Sequence, residues 1–107
     1  APVEFITHFS KGMLERKSGR IVSVASVAGQ IGHPDIWYGA SKAGLINATK
    51  SFAKIFAPSG VVINAVAPGP TLTDMMSVIP EDRKKYMKSN TYTNRFASPA
   101  EIAKTIF

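Results

Sequence analysis

Two short β-branched segments joined by a long helical connection constrain the fold of this chain most. Residues 20–26 and 61–67 are rich in Val, Ile and Ala and are bounded by glycine or proline, which is typical of buried strands. Roughly 34 residues separate them, and residues 35–56 have helical periodicity. Strands joined by such a crossover should be parallel, and parallel strands occur almost only in α/β sheets covered on both faces.

Two strands do not form a complete sheet of this kind. We therefore expect residues 1–107 to be a single segment of one larger α/β domain, or to pair with chain outside this sequence.

The remaining segments are predicted from periodicity and turn residues. An amphipathic helix is expected over residues 3–17, with Gly19 just past its C-terminus. One face of this helix is expected to contain Phe5, Ile6, Phe9, Met13 and Leu14. Asp35 is the expected N-cap of the long helix. Residues 27–34, 71–80 and 90–97 are predicted as loops.

Two helices are predicted after the second strand. Residues 81–89 form a polar helix with Pro80 in its first turn, and Ser98-Pro99-Ala100-Glu101 has the pattern of a capping box that opens a last helix.

Composition excludes several classes of function. The chain has no cysteine, so a disulfide framework, a cysteine nucleophile and an iron–sulfur cluster are excluded, and His8 and His33 are too few for a His-rich metal site. No targeting signal and no apolar run of ~18 residues is present, so we expect a cytoplasmic protein without a membrane span. The net charge of +6 would attract polyanions. A nucleic-acid-binding module is disfavoured because the charges are dispersed and no recognition motif is present.

Several polar residues are predicted to converge at one edge of the sheet. Ligands of open α/β sheets bind at the carboxyl ends of the strands. Ser26 ends the first predicted strand, and residues 68–71 (Pro-Gly-Pro-Thr) follow the second. Tyr38 and Lys42 lie near the start of the long helix, four residues apart and therefore on one helix face.

A hydroxyl, a phenol and an ammonium form a proton-transfer set. A nearby ammonium favours the ionised phenolate, so the tyrosine can exchange a proton with an alcohol or carbonyl oxygen. The serine hydroxyl can hydrogen-bond the same oxygen as charge develops on it. None of these groups supplies a hydride, so a redox cofactor must do so.

Four segments, in family order, resemble the short-chain dehydrogenase/reductase family. Residues 38–45 (YGASKAGL) resemble its YxxxK segment, and residues 19–29 (GRIVSVASVAG) its strand with the catalytic serine. Residues 62–69 (VINAVAPG) are similar to its next strand and Pro-Gly turn, and residues 95–103 (RFASPAEIA) to its late RxxxPxEIA helix. Within the family the likeness is greatest to 3-oxoacyl-(acyl-carrier-protein) reductases.

The resemblance implies a fold, a reaction and a role for each matching residue. The fold would be part of a doubly wound, parallel-sheet Rossmann-like domain. Tyr38 would be the catalytic acid/base, Lys42 would assist it and hold the nicotinamide ribose, and Ser26 would polarise the substrate carbonyl. The cofactor would be NAD or NADP, and the assembly a homodimer or homotetramer. The cofactor-binding residues would be Tyr38, Lys42, Pro68, Gly69, Pro70, Thr71 and Thr73, with residues 73–93 forming a lid over the substrate.

Some family features fall outside the sequence or differ. The Gly-rich turn, the residue that selects NAD or NADP, the NNAG strand and the helix asparagine belong upstream of Ala1, and the last strand belongs beyond Phe107. Ser26 and Tyr38 are 12 positions apart, where 13 is commoner in the family. The loop between them would shape the substrate pocket, so the resemblance does not establish the substrate.

Simpler interpretations remain open for each residue. Tyr38 and Lys42 fit an amphipathic helix with a surface lysine, Ser26 fits a turn, and Pro68-Gly69 fits a strand stop. Ser23 is the rival serine, but its mid-strand position favours the core. A non-catalytic cofactor-binding or scaffolding relative is the alternative function.

Two further surfaces have two interpretations each. The small residues Ala40, Ala43, Gly44 and Ala48 form a packing face or an oligomer interface. The basic residues Arg83, Lys84, Lys85 and Lys88 form a solvated helix face or a docking patch for an acidic carrier protein or a CoA phosphate.

Overall fold

The computed structural model describes residues 1–107 and divides them into two compact units, Ala1–Ala67 and Pro68–Phe107. The first unit contains α1 (Pro2–Glu15), β1 (Gly19–Val24), α2 (Ala28–Ile31), α3 (Ile36–Phe56), a 3₁₀ helix (Ala57–Ser59) and β2 (Val61–Val66). The second contains a 3₁₀ helix (Asp74–Val78), α4 (Glu81–Ser89) and α5 (Pro99–Ile106). None of the helices combines the length and apolar content needed to cross a membrane.

The two strands are parallel neighbours, as the crossover predicted. Their register runs from Gly19 opposite Val61 to Val24 opposite Val66. The N–H of Ala25 also donates to the carbonyl of Val66 at 2.8 Å, so Ser26 stands just past the last paired residue. The α/β class with a parallel sheet is confirmed.

The core of the first unit lies between α1, α3 and the sheet. Ile6, Phe56, Val61 and Ile63 are buried together. Partly buried side chains pack around them, namely Met13, Leu14, Ile21, Phe52 and Ala53. Burial of apolar surface contributes ~25 cal/mol per Å², so this cluster stabilises the unit.

The predicted apolar face of α1 is only partly correct. Ile6 is 6% exposed, but Phe5 and Phe9 are 61% and 60% exposed and stack on each other at 6.2 Å between ring centroids. Ser10 is buried instead, and its hydroxyl donates to the carbonyl of Thr7. The helix therefore has two apolar stripes: a buried one that contains Ile6 and an exposed one that contains Phe5 and Phe9. The sequence predicted a single stripe because helical spacing alone does not separate the two.

Gly19 is the first residue of β1 and does not cap α1, contrary to the sequence-based expectation. The left-handed residue after the helix is Lys17, with φ of 53°. A Cβ at Gly19 would lie 2.5 Å from the Cγ of Met13. Glycine is needed there because the strand passes close to this side chain.

The start of α3 agrees with the prediction. The Asp35 side chain accepts a hydrogen bond from the N–H of Tyr38 at 3.0 Å, which identifies Asp35 as the N-cap. Further along, the Thr49 hydroxyl lies 3.0 Å from that of Ser23 in a buried hydrogen bond that ties α3 to β1.

Two predicted loops contain short helices. Residues 27–34 include α2, and residues 71–80 include the 3₁₀ helix Asp74–Val78. Gly29 and Gly32 suggested a loop, but Gly29 serves a close approach of α2 to α3, where a Cβ would lie 2.6 Å from backbone atoms of Lys42. Pro80 is the N-cap of α4 and lies one position before the first turn in which it was predicted.

The second unit is organised around the start of α5. Thr71 and Ala97 form a parallel bridge, in which the Leu72 N–H donates to Ala97 and the Ala97 N–H donates to Pro70. The predicted capping box is present, with reciprocal hydrogen bonds between Ser98 and Glu101.

Candidate active site

Tyr38 is positioned by the first turn of α3. It is the third helical residue, and its N–H is bound by the Asp35 carboxylate. The N–H of Gly39 donates to the Asp35 carbonyl at 3.0 Å, so the first turn is held at two points. The Tyr38 side chain is 37% exposed, which leaves part of the phenol accessible.

Lys42 lies next to Tyr38 and connects α3 to the end of β1. Its Nζ donates a hydrogen bond to the carbonyl oxygen of Val24 at 3.2 Å and lies 5.7 Å from the centroid of the Tyr38 ring. This bond uses one of the three ammonium protons, so two remain for another acceptor. The predicted pairing of phenol and ammonium on one helix face is therefore present.

Ser26 lies in the turn between β1 and α2. Its Oγ accepts a hydrogen bond from the N–H of Ala28 at 3.2 Å, and its carbonyl accepts from Gly29 at 3.0 Å. The Oγ serves as an acceptor in this contact, so its own proton is available to another oxygen. The close approach of Gly29 to Lys42 and Ala43 joins this turn to α3.

Ser23 belongs to the core. It is 8% exposed, and it shares a buried hydrogen bond with the Thr49 hydroxyl, so it is not open to a ligand. Ser26 is therefore the accessible serine at the carboxyl end of β1.

His33, for which the sequence pattern indicates no role, contacts Tyr38. The two ring centroids are 5.1 Å apart with the planes tilted by 59°, and His33 Nδ1 accepts from the Asp35 N–H at 3.1 Å. The signal in the sequence was its position two residues before the predicted cap.

Residues 68–73 begin the second unit and form an irregular segment. The Thr71 hydroxyl donates to the Gly69 carbonyl at 3.0 Å, and a Cβ at Gly69 would meet no atom within 4 Å. The backbone at Gly69 is therefore open on that side. The carbonyl of Pro70 is bound by Ala97, and Thr73 is the N-cap residue of the 3₁₀ helix Asp74–Val78.

A cleft of about 460 Å³ lies within the second unit. Its lining combines hydroxyl, charged and apolar side chains: Leu72, Thr73, Asp74, Met76, Ser77, Lys84, Lys88 and Phe96. Lys84 forms an ion pair with Glu81 at 2.8 Å, and the Lys88 Nζ lies 5.2 Å from the Phe96 ring centroid. Two of the four basic residues predicted as one surface, Lys84 and Lys88, thus line a cleft, whereas Arg83 and Lys85 do not.

The carboxylate of Glu101, at the start of α5, has a strongly lowered pKa because of contacts that stabilise the fold. Hydrogen bonds from the Arg95 guanidinium, at 2.6 and 2.9 Å, and from the Ser98 N–H lower the pKa of Glu101 to about 2. The bidentate pair and the capping box together hold the residues before α5 in place.

The chain is similar over its whole length to a known protein family. A family model described as Enoyl-(Acyl carrier protein) reductase matches residues 1–107. The chain belongs to the short-chain dehydrogenase/reductase family. It is similar to the 3-oxoacyl-(acyl-carrier-protein) reductase of Aquifex aeolicus, with 44% identity over 88% of this chain and 38% of that protein. It is also similar to the acetoacetyl-CoA reductase of an Acinetobacter species, with 45% identity over 88% of this chain and 38% of that protein.

The fold of this family member agrees with solved structures. The crystal structure of a 3-oxoacyl-(acyl-carrier-protein) reductase from Brucella melitensis superposes with a TM-score of 0.89 and 32% identity, covering 95% of this chain and 39% of that one. The chain thus spans about two fifths of the length of such relatives and matches the Rossmann fold of the family as a partial segment.

Proposed function

We propose that the protein containing this chain is an NAD(P)-dependent oxidoreductase that interconverts a carbonyl and a secondary alcohol, with an acyl thioester as substrate. The contact between the Lys42 ammonium and the Tyr38 ring, at 5.7 Å, supports this function most directly. The names of the relatives, which act on 3-oxoacyl and acetoacetyl thioesters, support the substrate class.

The residues of the chain fit a nicotinamide nucleotide. Lys42 keeps two ammonium protons for ribose hydroxyls, and Tyr38 is partly exposed beside it. Gly69 has open space over its Cα, so a flat ring can approach the backbone there, and Pro68, Pro70, Thr71 and Thr73 are assigned to the cofactor by resemblance. A bound cofactor of this type supplies the hydride that adds to the carbonyl carbon.

Proton transfer is then the task of Tyr38. As the carbon is reduced, the electron pair of the C=O bond moves to oxygen, and the Tyr38 hydroxyl gives its proton to that oxygen. The resulting phenolate is stabilised by the Lys42 ammonium. The free proton of the Ser26 hydroxyl donates to the same oxygen and stabilises its developing charge. The reverse reaction uses Tyr38 as the base.

Replacement of Tyr38 tests this function. In the full-length protein, Tyr38→Phe removes only the hydroxyl, so kcat with a 3-oxoacyl thioester and NADH or NADPH should fall by about 10²–10⁴-fold while the fold persists. Ser51→Ala is the matched control, because it also removes a hydroxyl from α3, at an exposed position outside the candidate site. Turnover of Tyr38→Phe near that of Ser51→Ala would rule the function out.

A second candidate reaction is reduction of a carbon–carbon double bond. It is favoured by the description of the matching family model, Enoyl-(Acyl carrier protein) reductase. Offering the protein a 3-oxoacyl and a 2-enoyl thioester of equal chain length distinguishes the two. We expect oxidation of the reduced cofactor with the 3-oxoacyl thioester, whereas turnover of the enoyl thioester alone would favour the second reaction.

We further propose a cytoplasmic homodimer or homotetramer. Ala40, Ala43 and Gly44 are exposed on α3, and a Cβ at Gly44 would meet nothing within 4 Å. A stripe of small residues allows the backbones of two helices to approach closely. Sedimentation of the full-length protein and of Ala43→Arg tests this, since a bulky charge there should shift the protein toward the monomer.

A further inference from the structure

His33 lies against the phenol of Tyr38. It is half-buried in the connection between α2 and α3, and its ring centroid is 5.1 Å from that of Tyr38. The planes are tilted by 59°, and the centroid separation is within the range in which aromatic rings attract each other.

The orientation of the imidazole is fixed by a hydrogen bond. The Asp35 N–H donates to His33 Nδ1 at 3.1 Å, which holds the ring beside the first turn of α3. The Asp35 carboxylate in turn binds the N–H of Tyr38 at 3.0 Å. His33, Asp35 and Tyr38 are therefore joined by two hydrogen bonds and one ring contact.

The backbone of α3 provides space for His33. Gly39 is buried, and a Cβ at this position would lie 3.4 Å from both the His33 Cβ and the Ala28 carbonyl oxygen. A glycine one residue after Tyr38 thus allows the histidine to lie close to the first turns of the helix.

We propose that His33 is a positioning residue for Tyr38. Its ring restricts the rotation of the phenol and holds the hydroxyl at the reacting oxygen, while its Nδ1 supports the N-cap of α3. This inference rests on the proposed role of Tyr38 as the acid/base. Small displacements of a reacting group reduce rates strongly, so the ring contact should act on kcat rather than on cofactor binding.

Three variants of the full-length protein separate the two contacts. His33→Ala removes both. His33→Phe keeps a ring against Tyr38 and removes the acceptor, whereas His33→Asn keeps an acceptor for the Asp35 N–H and removes the ring. Gln30→Ala, an exposed change in α2, is the control.

We expect a specific pattern of rescue. His33→Ala should lower kcat about tenfold with KM for the cofactor unchanged, and His33→Phe should recover most of kcat. His33→Asn should recover the melting temperature but not kcat. Wild-type kcat in His33→Ala, or equal recovery of kcat by the Asn and Phe variants, would overturn the inference.

A double mutant separates this inference from the proposed function. In a Tyr38→Phe background, His33→Ala should cause no further loss of the residual rate, because His33 acts through the phenol hydroxyl. A further loss would show that His33 acts otherwise and would overturn the inference alone. If Tyr38→Phe itself keeps wild-type turnover, the proposed function fails, and the positioning role fails with it.

Discussion

The Lys42 ammonium on α3 donates a hydrogen bond to the carbonyl oxygen of Val24, the last residue of β1, at 3.2 Å. This bond holds the long side chain in one direction, toward the end of the strand, and places its charge 5.7 Å from the Tyr38 ring centroid. The position of the Lys42 charge therefore depends on both α3 and β1. The end of β1 orients two groups: the Lys42 ammonium and, through the turn that follows the strand, Ser26.

Removal of the Lys42 charge should impair both catalysis and cofactor binding. Lys42→Met keeps the aliphatic chain but loses the ammonium, which in the proposed mechanism stabilises the phenolate that forms when Tyr38 gives up its proton. We expect a fall in kcat on the order of 10²-fold and a higher KM for the cofactor. Lys50→Met, an exposed change on the same helix, should leave both constants unchanged in steady-state assays.

The two serines of the first strand region should separate catalysis from stability. Ser26→Ala removes the proposed donor to the substrate oxygen and should lower kcat by about 10²-fold. Ser23→Ala removes the partner of the buried Thr49 hydroxyl and should lower the free energy of unfolding by about 1 kcal/mol with kcat unchanged. Urea unfolding and initial rates on both variants check this, and the opposite assignment would identify Ser23 as the catalytic serine.

The local signals that specify element boundaries were sufficient for much of the fold. Asp35 and the Ser98–Glu101 box were predicted as caps because their side chains bind backbone groups within three residues. The pairing of Tyr38 with Lys42 was predicted because helical spacing alone determines it. In each case the interacting groups are close in sequence.

Contacts between distant segments could not be predicted in the same way. A Cβ at Gly29 would lie 2.6 Å from the backbone of α3, but no residue near Gly29 in the sequence indicates this close approach. Gly29 was therefore interpreted as a loop residue, and α2 was predicted as a loop. The exposure of Phe5 and Phe9 depends equally on which stripe of α1 meets the sheet. The contact between His33 and Tyr38 was missed because it depends on the path of the short connection between α2 and α3, which the sequence pattern does not specify.

The close approach at Gly29 predicts a strong effect of a single methyl group. In Gly29→Ala the new Cβ would overlap backbone atoms of Lys42 and Ala43, which cannot move independently of α3. We expect a loss of about 1–3 kcal/mol in stability and a lower kcat, since the Ser26 turn is displaced from α3. Gly12→Ala in α1 meets only the flexible end of Arg16 and should stabilise by about 0.5–1 kcal/mol. Thermal unfolding of the two variants should therefore change in opposite directions.

The pair of Arg95 and Glu101 predicts an acid-sensitive contribution to stability. The folded state holds the pKa of Glu101 at about 2, below its ordinary value near 4.5. The contribution of this carboxylate is thus present above pH ~4.5 and is lost as the pH falls toward 2. In Glu101→Gln the urea midpoint should vary less over this interval than in the wild type. Asp82→Asn, a change of an exposed carboxylate on α4, is the control and should retain the wild-type slope.

The basic residues of α4 were interpreted either as a solvated helix face or as a docking patch for an acidic carrier protein or a CoA phosphate. Their positions relative to the cleft allow a test of the two interpretations. Lys88 lines the cleft beside Phe96, whereas Lys85 lies on the same helix outside it. The acyl carriers of the proposed thioester substrates bear phosphate groups, which an ammonium in the cleft can bind. Lys88→Glu should therefore raise KM for a CoA thioester about tenfold with kcat unchanged, and Lys85→Glu, the same charge change on the same helix, should not. Equal effects of the two variants would indicate a general attraction between a basic surface and an anionic substrate, and high salt would then abolish the difference from wild type.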